Sequence, residues 1–284
     1  MTRLGTLLTF IALTGCQRSL EGSTSITDPA FAKCPMAGSP NGGVVWIESP
    51  HPLAVPHPPG QRPEVGAGFG VITVDRCPCY AGASAYAHNP DMTSPPDGFG
   101  RADNAGTITI QNSAIEMLVP DSDGLYPGVS PGVLFIPGDH IAISAGGGKV
   151  PAFQTSIDGP YPVTIISPPS GAAIPHKLGD ALLVTWQGGQ TGEAVMVDVI
   201  VHRFEDTWEV RCLFNAEAGM GWVPSDLFDK LSQPTEVRQS TAQVAAGSAN
   251  IQTIKPGNWM VEIRAATPAL AKGGGEWSAV ISPP

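Results

Sequence analysis

Proline and glycine punctuate this chain so often that most folds are closed to it. The 29 Pro and 34 Gly make up 63 of 284 residues, about 22% where average usage is near 12%. Proline fixes φ and removes a backbone donor, and glycine weakens any element interior. Helical bundles and coiled coils are therefore excluded. Disorder is excluded too, because 42% of the residues are apolar and the net charge is only −10. What remains is a turn-rich all-β protein, and the length predicts two domains. The acidic balance and the scattered 15 Lys and Arg argue against a nucleic-acid partner.

The N-terminus carries the most specific motif. Arg3 supplies a positive start, and residues 4–13 are an apolar run. That run is too short for a membrane span, which needs about 20 residues, and suits an export signal. It ends in Leu13-Thr14-Gly15-Cys16, which resembles the bacterial lipobox. The resemblance implies that the Cys16 thiol receives a diacylglyceryl group, that residues 1–15 are removed, and that the new amine is acylated. Two or more acyl chains suffice for stable anchoring. Gln17 follows Cys16 in place of the Asp that often retains such proteins in the inner membrane. The outer membrane is the expected address.

Residues 16–33 read as a flexible tether, polar and without hydrophobic period. Residues 49–63 hold six prolines, so they form a surface loop and not a central strand. Four further cysteines follow the lipid site: Cys34, Cys77, Cys79 and Cys212. Export favours disulfides. The expected bridge joins Cys34 to Cys77 or Cys79. Cys212 alternates with Trp208, Val210 and Phe214 on one face, the position of a buried core thiol. Cys77 and Cys79 with His51 or His57 are the alternative metal set, but Cys-x-Cys is tighter than the usual thiolate spacing.

The C-terminal region, residues 161–284, reads as a β-sandwich. Val195, Val197, Val199 and Val201 alternate with Met196, Asp198, Ile200 and His202, and Trp259, Val261, Ile263 and Ala265 alternate with Met260, Glu262, Arg264 and Ala266. Charge is expected outside and bulk inside. Gly188-Gly189, Pro256-Gly257 and Gly273-Gly274-Gly275 mark turns. The stretch 251–265, with its Pro256-Gly257 turn before Trp259, resembles the E-to-F region of a fibronectin type III domain. Trp186 sits like that family's strand-B tryptophan. Gly275-Glu276-Trp277-Ser278 is similar to its turn into strand G. The resemblance implies a fibronectin type III or Ig-like sandwich. Residues 223–231 are expected to add one short helix, with Leu227, Phe228 and Leu231 on its apolar face.

Residues 34–160 are expected to form a first, loop-rich β-domain with strands near 69–74, 107–110, 116–119 and 140–145. The whole layout resembles bacterial lipoproteins of unassigned function, a resemblance that implies architecture and no activity.

Candidate chemistry is sparse. Asp121-Ser122-Asp123-Gly124 reads as a turn, since a calcium loop needs more ligands. Ser144 in Ala142-Ile143-Ser144-Ala145-Gly146 lacks the first Gly and the following helix of a nucleophile elbow. No cofactor motif is present. The expected function is non-catalytic binding or scaffolding in the cell envelope, with a protein or glycan partner reached through loops or a sheet edge. Two alternatives stand beside it. One is an envelope hydrolase or metal-binding protein. The other is a carbohydrate-binding surface protein using Trp222, Tyr126 or Tyr161.

Overall fold

A computed structural model describes residues 41–49, 64–71, 79–84, 103–112, 115–120, 124, 126–129, 133–175, 179–202, 207–225 and 242–282. The first half of the chain supplies β1 (Asn41–Glu48), β2 (Glu64–Val71), β3 (Cys79–Ser84), β4 (Ile108–Gln111), β5 (Ile115–Leu118), β6 (Tyr126–Val129), β7 (His140–Ala145) and β8 (Phe153–Asp158). The second supplies β9 (Val163–Ser167), β10 (Ala173–Pro175), β11 (Leu182–Gly188), β12 (Ala194–His202), β13 (Thr207–Asn215) and β14 (Met220–Val223). It closes with β15 (Ala242–Ile254), β16 (Met260–Pro268), β17 (Leu270–Ala271) and β18 (Ser278–Ser282). The all-β expectation holds.

Two small sheets pack against one large one. The first small sheet has the order β5-β4-β7-β8, and the second β14-β11-β9-β17. The large sheet runs β3-β13-β12-β15-β16-β1-β2-β6, with β18 and β10 joined beside β15. Alternation sets which side chains enter the cores. Ile141, Ile143 and Ala145 of β7 point inward, as their spacing predicts, and so do Val195, Val197 and Val199 of β12.

The large sheet is common to both sandwiches, and β15 is the reason. Its 13 residues span roughly 44 Å at the usual rise. One edge pairs with β12 over residues 242–249. The other edge pairs with β18 over residues 242–245 and then with β16 over residues 247–254. β16 in turn takes β1 as a parallel neighbour, Gly42 opposite Met260 through Glu48 opposite Ala266. β8 and β9 are joined through residues 159–162. Below that connection, strands from both halves share one hydrogen-bonded ladder.

One sequence expectation changes accordingly. The stretch 251–265 forms the hairpin between β15 and β16, with its turn at Pro256-Gly257. Its Trp259, Val261, Ile263 and Ala265 are buried in the first core, beside Val45, Phe69 and Ile108, and not in the second. Trp186 does anchor the second core, donating its indole N–H to the Ala216 carbonyl at 2.7 Å.

The charges expected outside are also buried. Arg264 donates to Glu262 Oε1 from Nε at 3.0 Å and from Nη2, on the face away from the first core. β16 lies between β15 and β1. Ile251 and Trp46 therefore flank Arg264, and Thr253 and Val44 flank Glu262. Asp198 and Arg211 pair in the same manner across β12 and β13, Nε to Oδ1 at 2.7 Å. A buried charge without such a partner would cost far more than the pair does. The helix expected over residues 223–231 lies, beyond Ser225, outside the described residues.

Candidate functional site

Most of the chemistry-bearing residues picked from the sequence fall beyond what the structure describes. Cys16, Cys34, Cys77, His51, His57 and the Asp121-Ser122-Asp123 run lie outside the described residues. Among the described residues no group of three His, Cys, Asp or Glu is placed to hold a metal ion. Cys79 opens β3, directly opposite Cys212 of β13. Cys212 is fully buried in the second core, where its alternation put it. Ser144 lies within β7, hydrogen-bonded in register between β4 and β8, so it stands in a central strand and not at a strand–turn–helix elbow.

Tyr126 is not a surface aromatic, which corrects its place in the carbohydrate reading. It is buried in the first core and meets Phe69 edge to face, with centroids 5.7 Å apart. Its hydroxyl donates to the Gly106 carbonyl at 2.7 Å and accepts from the Ala105 N–H at 2.7 Å. Burial disfavours the phenolate and pushes its pKa up to about 12, against the partial opposing effect of the Ala105 N–H. Tyr161 remains 39% exposed, and Trp222 is half-buried opposite Leu183.

A polar seam separates the two cores. Asn250 donates to the Asp158 carbonyl at 2.8 Å, and Gln252 to Thr155 Oγ1 at 2.6 Å. Both reach from β15 to β8. The Ser248 hydroxyl lies two residues before Asn250 on the same strand, buried and without a hydrogen-bond partner. Glu193 secures the connection between the small sheets. Its carboxylate is buried and accepts from the Tyr161 N–H at 2.8 Å and the Gln190 N–H at 2.7 Å.

The most exposed described apolar side chains lie at one sheet edge. β5 ends the first small sheet, with β4 as its only partner among the described residues. Met117 and Val119, two residues apart, are 62% and 59% exposed, while Leu118 between them is buried. Across the same outer face, register places Met117, Thr109, Ser144 and Gln154 in one row. Further along this face His140 Nδ1 lies 2.8 Å from Asp158 Oδ1, both side chains exposed. The chemistry here is that of a recognition surface: hydroxyls and an amide beside two apolar knobs and a backbone edge unpaired among the described residues.

The sequence reading expected a strand at residues 116–119 but had no signal that it would end a sheet. Edge position depends on which strand comes to lie alongside, and period two is silent on that. Glu193 was missed for a similar reason, since its partners belong to a turn and a connection with no motif. Among the described residues no helix is long and apolar enough to cross a membrane. No protein-family model matches the chain, and no curated protein matches it.

Proposed function

We propose that this is a lipid-anchored protein of the bacterial envelope, held through Cys16 and working as a non-catalytic binding or scaffolding module. Leu13-Thr14-Gly15-Cys16 behind a short apolar run supports the anchor. Gln17 supports the outer membrane. The 24 residues between Cys16 and β1 reach at most roughly 80 Å when extended, enough to carry the sandwiches well clear of a bilayer. The observation that carries the binding role is the β5 edge, where Met117 and Val119 stand exposed beside a ladder with no further partner among the described residues. A partner strand or loop would use this edge by addition.

Two measurements test the two halves of the proposal. Labelled palmitate should enter the full chain and not Cys16→Ser; label in the variant would overturn the anchor. A photo-crosslinking residue at position 117 should capture a discrete envelope partner in cells, and capture should fall at least severalfold in Val119→Lys. Equal capture from position 117 and from Lys272, an exposed turn residue far along the chain, would overturn the edge as the binding surface.

A further inference from the structure

We infer that Cys79 and Cys212 form a disulfide that fastens β3 to β13. β3 ends the large sheet and has β13 as its only partner among the described residues. The two strands are antiparallel from Thr207 opposite Ser84 to Cys212 opposite Cys79. Residues directly opposite in such a pair share a face, with Cα atoms about 4.5 or 5.5 Å apart. Both spacings fall inside the range that a disulfide bridges. Cys212 is fully buried, so a bond from it must run to a cysteine already at its side, and register places Cys79 there.

This pairing replaces the core thiol expected of Cys212 and narrows the bridge expected from Cys34 to one of its two candidates. Cys79 is used within the sheet, and Cys34 is left to pair with Cys77. The bond links positions 133 residues apart. It closes a long loop across the two halves of the chain and fixes an edge strand to its partner. Its formation is an oxidation. Two thiols lose two protons and two electrons to an oxidising disulfide, either that of a thiol oxidase or oxidised glutathione, which leaves as the dithiol or as two thiols. The oxidising compartment comes from the export reading above, so the inference rests on that half of the proposed function.

Peptide mapping tests the connectivity. The full chain is taken from membranes, denatured with an alkylating agent and no reductant, and digested with trypsin. The peptide starting at Cys77 also contains Cys79, so backbone fragmentation must place the bond. The expected result is a link from the Cys212 peptide to Cys79, kept in Cys77→Ser and lost in Cys79→Ser. A link from Cys212 to Cys77 or Cys34 would overturn the inference. A second arm reduces the detergent-solubilised full chain and reoxidises it in a glutathione buffer. Alkylated Cys212 from cells together with a Cys79–Cys212 link in the buffer keeps the pairing and sinks the export reading. Alkylated Cys212 in both arms overturns the pairing.

Discussion

Trp46 lies flat over Gly66 on the neighbouring strand, so close that a Cβ at 66 would stand 2.1 Å from its ring. Gly43 and Phe69 repeat the arrangement on the opposite face of the same two strands, again at 2.1 Å. Each glycine exists to seat the aromatic across from it. Gly66→Ala should therefore cost about 1–3 kcal/mol through overpacking. Urea unfolding would show a lower midpoint, and most of that loss should disappear in a Trp46→Ala background, where the new methyl has room.

Tyr126 should make stability fall at alkaline pH. Its pKa is about 12 in the fold and about 10 in the unfolded chain. Its contribution is complete below about pH 10 and is lost as pH rises towards 12. The full linkage is about 2–3 kcal/mol. Tyr126→Phe should remove this share of the alkaline loss while lowering stability at pH 7 by about 1–3 kcal/mol, because the buried Ala105 N–H loses its acceptor. Denaturant titrations of both proteins at pH 7 and at pH 11 separate the two effects.

Asp139 should act at the acid end. Its carboxyl is held below the usual range by the Ile136 N–H and then by the Asn112 side chain, each 2.9 Å away. A lowered folded pKa gives stability that is present above the unfolded value and lost as pH falls through the folded one. Asp139→Asn should flatten part of the acid slope, and Asn112→Ala should flatten a smaller part. Thermal melts from about pH 5 down to pH 2 would show an unchanged slope if the two hydrogen bonds carry no linkage.

Glu193→Gln should loosen the junction between the small sheets. The carboxylate accepts two backbone N–H bonds, whereas a carboxamide offers one carbonyl oxygen and turns an NH₂ toward the second donor. A cost of about 1.5–3 kcal/mol is expected for hydrogen bonds to a charged group. Amide hydrogen exchange at Tyr161 and Gln190 should quicken together. Exchange that quickens at one and not the other would mean that the two bonds are not coupled through this side chain.

Much of the local structure was legible. Alternation alone placed Cys212, Val210 and Phe214 inward, and Ile141 and Ile143 likewise. Tyr126 was misjudged because it sits before Pro127 in a Gly- and Pro-rich stretch that reads as loop, while the fold puts it in a short strand beside β2. Glu262 and Arg264 were assigned correctly to the face away from the core. Their burial follows from neighbours on both sides, and those on one side, Val44 and Trp46, lie more than 200 residues away in sequence.

By itself the sequence determined that the chain is all-β, where its turns fall, and which residues of each strand face together. These are properties of φ preference and of a two-residue period, and both are local. Only the tertiary structure decided that Trp259, Val261, Ile263 and Ala265 would complete the first core and that one sheet would serve both sandwiches. A strand's backbone hydrogen bonds are made with another strand. Nothing within residues 260–268 specifies that the partner is β1 and the pairing parallel. That choice belongs to the long-range fit of side chains across the sheet, and it brings strands from both halves of the chain into one ladder with two small sheets packed on it.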